Sequence, residues 1–476
     1  MRSRVAGALA LSAVVGGGAL AGGVPAQAAA RVAKPYDFNG DGLRDLAVGS
    51  PNGTVGGKRG AGFVSVVPGA RAGLDTRRKK IISQDSPGVP GAAETGDHFG
   101  YALASADFDR DGYADLAVGA PDEDAGKHRD AGGVTILWGS KAGLGRATVH
   151  GEARTPGNRH RFGEALAAGD VQGDGSPELF VGVPGTSTYT WIYFGSRARA
   201  TVMGGASFGA RSARDVNQSW LAAGDVNGDG RGDVAYAWHD ADDPEVGHRR
   251  GFTVFHGTAS GGFTRGRTVY APVHSLAIGD FDGDRRGDVA VGNTYDAPST
   301  GGRVTVHRGT PFGLGGSYHL DQRTPGVPGT GINEDNFGQS VAVGDVNRDG
   351  RADLAVGAPK VDIGRTFDVG RAFLLLGSPS GLTGRGAQAI TKNTGGVPGT
   401  ARPYALFGFQ VSLLDHTGEG AADMVAGAPD EDGGNGSVTL VRGGASGLSL
   451  KGATAVAPRS LGVHGKMAQL GGRLGR

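Results

Sequence analysis

Short apolar runs alternate with glycine-rich and acidic turns along most of this chain, and the runs are too short for helices. The stretch from Phe99 shows the unit most clearly. Residues 101–106 predict a first strand, which runs into a nine-residue acidic loop from Asp107 to Asp115. Residues 116–118 predict a second strand, ended by Gly119-Ala120-Pro121, and residues 133–138 predict a third. A turn from Gly139 to Leu144 and a short fourth strand near Thr148 complete the unit. No segment carries a defensible helical period.

The acidic loop starts again at Asp37, Asp170, Asp225, Asp280, Asp345 and Asp415, giving seven copies at spacings of 70, 63, 55, 55, 65 and 70 residues. Such periods suit a four-stranded blade better than a one-helix solenoid unit. The Gly139 turn also recurs, at Gly69–Leu74, Gly309–Leu314 and Gly377–Leu382. The expected fold is therefore all-β, a seven-bladed β-propeller with four-stranded blades. A ring buries the blade faces against one another and leaves few strand edges open. The first unit has no strand ahead of Asp37, whereas Leu470-Gly-Gly-Arg-Leu474 resembles Phe337-Gly-Gln-Ser-Val341. We expect this C-terminal segment to form the missing first strand of blade 1 and so close the ring.

Composition narrows the setting. A net charge of +1 gives no case for nucleic acid. The 92 Gly residues lack the strict spacing of collagen, and a hydrophobic content of 38% argues against disorder. Arg2 and Arg4 precede an apolar stretch that ends in Pro25-Ala26-Gln27-Ala28. Residues 1–28 read as a signal peptide cleaved after Ala28, and residues 29–476 as the propeller. No later segment is long and apolar enough to span a bilayer. The expected product is secreted, not inserted in a membrane, and monomeric. With no Cys in the chain, its staples must come from elsewhere, and metal is a candidate.

The acidic loop supplies that candidate. Positions 1, 3, 5 and 9 carry oxygen side chains at a spacing that suits Ca²⁺, which takes six to eight oxygens. The expected ligands are Asp37, Asn39, Asp41 and Asp45 in loop 1, and Asp107, Asp109, Asp111 and Asp115 in loop 2. Loop 4 offers Asp225, Asn227, Asp229 and Asp233; loop 6 offers Asp345, Asn347, Asp349 and Asp353. Loop 5 offers Asp280, Asp282, Asp284 and Asp288, with Arg285 in place of the usual Gly. Loops 3 and 7 are weaker, with Asp170, Asp174 and Glu178, and Asp415, Glu419 and Asp423. About five Ca²⁺ sites are expected, and seven at most. Two like charges about 4 Å apart repel by roughly 4 kcal/mol at a surface-type dielectric, and a divalent cation turns that repulsion into attraction. No thiol or imidazole recurs at the ligand positions, which disfavours zinc and copper. An EF-hand would need Glu at position 12, where these copies carry Val48, Val118, Val181, Tyr236, Val291, Val356 and Ala426.

Phe99-Gly100, Phe162-Gly163, Phe337-Gly338 and Phe407-Gly408 precede acidic loops, and Gly-Ala-Pro follows at Gly119, Gly357 and Gly427. With the loops between them, these motifs resemble the FG-GAP repeat of the integrin α-subunit N-terminal propeller, and more closely its secreted bacterial FG-GAP/VCBS-type form. The resemblance covers about Val32 to the C-terminus. It implies a seven-bladed propeller with Ca²⁺ loops on one face. Blades 4 and 5 depart from it, with Gln218-Ser219-Trp220 and Val273-His274-Ser275 in place of Phe-Gly.

Two Arg-Gly-Asp tripeptides, at Arg231 and Arg286, lie inside acidic loops and read as cation-site residues. No catalytic constellation stands out. The expected function is a non-catalytic adhesion or binding module for an extracellular protein or glycan. The alternative is a polysaccharide lyase or hydrolase. Its candidate residues would be Trp238, His239, Asp240, Asp242 and Asp243 in blade 4, the one place where acids, His and Trp cluster outside the consensus.

Overall fold

A computed structural model describes residues 32–151, 157–186, 188–196, 199–207, 216–240, 250–294, 301–332, 334–463, 465 and 467–476. The expected signal peptide, together with Asp242 and Asp243, lies outside the described residues. Among the described residues the chain folds into seven four-stranded antiparallel sheets and one two-stranded ribbon. It is an all-β propeller, and each four-stranded sheet is a blade. Blades 2 to 7 take their strands in chain order. They run from Leu103 to Gly151, Leu166 to Ser207, Val216 to Tyr270, Ser275 to Leu320, Ser340 to Ile390, and Val411 to Val456.

Blade 1 is assembled from both ends of the chain. Its order is Arg473–Leu474, Leu46–Ser50, Phe63–Val67 and Lys80–Ile82. Leu474 pairs with Val48 and Arg473 with Gly49, so the C-terminal segment is the first strand of that blade, as its likeness to Phe337–Val341 led us to expect. The same segment completes the last junction. Leu470 bridges Gly436 of blade 7 just as Phe99, Phe162, Phe337 and Phe407 bridge Gly62, Gly132, Gly302 and Gly370 at other junctions.

These contacts explain why Phe-Gly and Gly-Ala-Pro travel together. The Phe side chains are buried between sheets, 0 to 1% exposed. A Cβ on Gly119 would overlap the Gly163 carbonyl of the next blade, and one on Gly357 would overlap that of Gly408. The two motifs are the two halves of one interblade contact, and glycine is required because backbone meets backbone there. Apolar side chains fill the rest of each junction. Leu46, Val48 and Leu474 of blade 1, for instance, pack with Val425, Val438 and Leu440 of blade 7.

The first strand of blade 2 is shorter than the apolar pattern predicts. Leu103–Ala106 forms, not residues 101–106, because the Gly100 and Tyr101 amides both donate to the Gly119 carbonyl and interrupt the ladder.

Candidate metal centre

Every second strand is entered from an acidic loop, so the loops share one end of the propeller. The second residue of each loop anchors it: Phe38, Phe108, Val171, Val226, Phe281, Val346 and His416 are all fully buried. The first Asp then folds the loop around itself. Asp107 accepts from the Asp111 amide at 3.0 Å on Oδ1 and from the Gly112 amide at 3.0 Å on Oδ2. Asp225, Asp280, Asp345 and Asp415 repeat this pattern, and Asp170 does so in loop 3. This is the local turn that Asp favours, because its carboxylate can bond the backbone just ahead of it.

Carboxylate oxygens from positions 1, 3 and 5 converge in two loops. Those of Asp107, Asp109 and Asp111, and those of Asp280, Asp282 and Asp284, lie within 4.8 Å of one another. Loops 1, 4 and 6 carry an amide at position 3. There Asn39, Asn227 and Asn347 each accept from the amide of the position-5 Asp, at 2.9, 3.0 and 3.0 Å.

The ninth residue sits apart from this group. Asp115 is fully buried; its Oδ1 accepts from the Gly139 amide at 2.8 Å and its Oδ2 from the Phe108 amide at 2.9 Å. Asp45, Asp233, Asp353 and Asp423 likewise tie the second residue of their loops to the glycine that ends the third strand. Asp288 makes only the Gly309 bond. Glu178 holds Val171 from loop 3. Position 9 is thus a clamp within the blade as well as a potential ligand. The Asp residues of both Arg-Gly-Asp tripeptides, Asp233 and Asp288, are buried in this role and are closed to an adhesive partner.

Burial and the neighbouring carboxylates load these clamps. Asp115 is pushed up to about 8 and Asp45 to about 7, mainly by desolvation, with Asp109 and Asp41 adding repulsion. Asp288, Asp353 and Asp423 rise to about 6, again mainly through burial. Asp37 Oδ1 and Asp288 Oδ2 are buried without a hydrogen-bond partner. An unpartnered anionic oxygen in loop 1, from Asp37, and another in loop 5, from Asp288, each fit a hard cation, which would satisfy it and offset the repulsion.

Three loops carry an internal cation instead. Arg231 pairs with Asp229 at 2.8 Å, Arg351 with Asp349 at 2.6 Å, and Arg286 with Asp284. Arg308 adds a second pair, 2.7 Å from Asp282. Leu43 and Tyr113 hold the corresponding position in loops 1 and 2 and carry no charge themselves. The spacing of acids alone hides this distinction, although the position-7 arginines are visible in the sequence.

The loops are also linked to one another. The eighth residue of each donates its amide to the first carbonyl of the loop before it: Ala114 to Asp37, Gly232 to Asp170, Gly287 to Asp225, Ala352 to Asp280, Ala422 to Asp345, and Arg44 to Asp415. The seventh link, from loop 3 to loop 2, is missing because Pro177 stands at position 8 and has no amide hydrogen.

The alternative catalytic cluster does not assemble among the described residues. Trp238 is buried in the junction between blades 3 and 4. His239 lies in the second strand of blade 4, paired with Arg250 of the third.

A ring of four-stranded blades with an acidic loop ahead of each second strand defines the class as an all-β propeller with loop-borne acidic clusters. The FG-GAP repeat model matches residues 30–67, 99–137, 273–307 and 337–387. Four stretches of the chain thus match FG-GAP repeats, consistent with an integrin-α-like β-propeller. The chain is 31% identical over 193 residues to phosphatidylinositol-glycan-specific phospholipase D of Bos taurus, covering 40% of this chain and 22% of that protein. It is 37% identical over 156 residues to integrin alpha-PS5 of Drosophila melanogaster, covering 31% and 14%. With integrin alpha pat-2 of Caenorhabditis briggsae the identity is 27% over 339 residues, covering 67% and 26%. The chain thus spans about a quarter or less of each of these relatives.

Proposed function

We propose that the chain is a secreted, Ca²⁺-stapled propeller that acts as a non-catalytic binding module for an extracellular protein or glycan. The observation that carries the cation half is the convergence of Asp107, Asp109 and Asp111, beside the clamp Asp115 that burial raises. Loops 1 and 2 have the greatest need of the ion, loop 5 offers a second convergent triad, and loops 4 and 6 already hold an arginine. The small Mg²⁺ ion is less suited, since it dehydrates reluctantly and wants strict octahedral geometry. Secretion is supported by the charged and apolar N-terminal pattern ending at Ala28. The binding role is supported by FG-GAP repeats and by similarity over 156 residues to an integrin α-subunit.

Titration of the chelated full chain with CaCl₂ tests the cation half. Several heat-releasing sites are expected, and no uptake would overturn it. Arrays of extracellular proteins and glycans, run with and without Ca²⁺, test the binding half.

A further inference from the structure

The ends of the first strands away from the acidic loops surround a recess of about 740 Å³ on the propeller axis. That volume is in the range of small-ligand sites. The wall is built from residues at the innermost strands and from the connections that follow the second strands, Lys360 among them. None of them is a metal-loop residue, and the repeat motif does not specify them.

Four consecutive blades give one arc of this wall an ordered chemistry. Blade 6 contributes Lys360, blade 7 Phe409, blade 1 Arg473, and blade 2 Tyr101. In ring order this is cation, aromatic, cation, aromatic. Lys360 is exposed, while Phe409, Arg473 and Tyr101 are half-buried, so each presents surface to the recess. The Arg473 guanidinium lies 4.3 Å from the Tyr101 ring centroid, which holds its planar face in position. Among the described residues neither Lys360 nor Arg473 has a carboxylate partner. Glu164 on the same wall is already bound to Arg161 at 2.8 Å, and Glu334 stands exposed at the rim. The amides of Asn336 and Gln339 face the recess as further donors and acceptors.

Two unpaired cations ask for an anion. The half-buried Phe409 ring between them asks for a flat apolar face, and the amides ask for hydroxyls. A sugar chain bearing carboxylates offers all three, whereas an acidic peptide offers the charge without the stacking face. We propose that this recess binds a carboxylated oligosaccharide, with uronate carboxylates on Lys360 and Arg473 and a sugar ring against Phe409. The inference rests on the binding-module reading and names its ligand class.

The test uses the full chain in Ca²⁺ buffer and a hyaluronan hexasaccharide, titrated by calorimetry. Charge-assisted hydrogen bonds set the expected loss, about tenfold or more, for Lys360→Ala and for the carboxyl-reduced sugar. Lys360→Arg should retain affinity, and Phe409→Ala should lose it with the melting temperature unchanged. Hexaglutamate should bind at least about tenfold more weakly than the uronate sugar. Absence of uronate binding, equal binding of hexaglutamate, or indifference to Lys360→Ala and Phe409→Ala together would overturn the proposal. An array ligand that survives those substitutions would overturn this recess while leaving the binding-module reading intact.

Discussion

The Arg351 guanidinium lies 2.6 Å from the Asp349 carboxylate, inside the loop that would otherwise concentrate unbalanced charge for a cation. At the same position loop 2 carries Tyr113, which brings no charge to Asp107, Asp109 and Asp111. The arginine competes with the ion. Both partners are about a third exposed, so the competition is modest, of the order expected for a surface pair, about 1 kcal/mol or less. Arg351→Ala should therefore tighten Ca²⁺ binding at loop 6 severalfold, while Tyr113→Arg should weaken it at loop 2. Calorimetric titration of the two variants reads both. Weaker binding in Arg351→Ala would show that the guanidinium supports the site.

The clamp and the ligand positions should separate by their dependence on the ion. Asp115 holds two backbone amides in a dry environment, and Asp115→Asn replaces one acceptor with a donor facing a donor. The expected loss is about 2–4 kcal/mol, with or without Ca²⁺. Asp109→Asn, on the exposed side of the loop, should cost little in chelator and lower only the Ca²⁺-induced rise in melting temperature. Denaturant titrations in both buffers distinguish them. Equal losses for the two variants in chelator would remove the distinction.

Much of the frame was legible because it is repeated. Phe-Gly, the acidic loop and Gly-Ala-Pro recur at positions that each blade uses alike, and Leu470–Leu474 could be matched to Phe337–Val341 by that pattern alone. The division of labour inside the loop was not legible. Asp109 and Asp115 are the same residue type at equally plausible ligand spacing. Only the return of the third strand to Gly139 shows that Asp115 is buried and committed to the backbone. The arc of Lys360, Phe409, Arg473 and Tyr101 was hidden for a related reason. Its members are far apart in sequence and meet only when the ring closes.

The closing strand gives a direct stability test. Deleting residues 469–476 exposes the edge of Leu46–Ser50, removes Leu470 and Leu474 from the junction of blades 1 and 7, and leaves Val48 partly uncovered. Burying a Leu side chain is worth roughly 1.5–3 kcal/mol, so the deletion should cost several kcal/mol and lower the melting temperature by many degrees. The milder Leu470→Ala should lose about 2–5 kcal/mol. An unchanged melting temperature after the deletion would mean that the ring does not depend on this strand.

Acid should weaken the middle of the ring through two buried imidazoles. His274 and His307 are both lowered to about 4, chiefly by desolvation, with Arg250 and Arg267 as the nearest positive charges. An unfolded histidine titrates near 6.5. Above that pH both states are neutral and stability is complete. As the pH falls from about 6.5 to about 4 the unfolded histidines take up protons that the folded ones refuse, so the stability these two groups contribute is lost across that window, against an opposite contribution from the raised Asp45, Asp288, Asp353 and Asp423. His307→Gln should flatten the decline between pH 6.5 and 4.5 relative to the wild type, measured by urea denaturation at each pH. Parallel profiles would assign the acid sensitivity to other groups.

The chain of amide-to-carbonyl links among the acidic loops predicts how their ions communicate. Six links join neighbouring loops around the ring, and the Arg44–Asp415 bond carries the series across from blade 7 to blade 1. A cation that orders one loop fixes the carbonyl of its first Asp, which is the acceptor for the next loop's eighth residue. The next loop then has less disorder to lose when its own ion binds, which is positive coupling. Pro177 interrupts the series between loops 2 and 3. Coupling should therefore run in one open line, from loop 3 through loop 7 to loops 1 and 2. Asp107→Asn should weaken Ca²⁺ binding at loop 1 as well as at loop 2, and leave loop 3 untouched. Pro177→Ala restores the missing amide hydrogen and should let the same substitution reach loop 3. Lanthanide luminescence or NMR titration of individual loops, in the single and double variants, measures the effect. Loops that titrate independently in all of them would show that the hydrogen-bonded series holds the face together without transmitting occupancy.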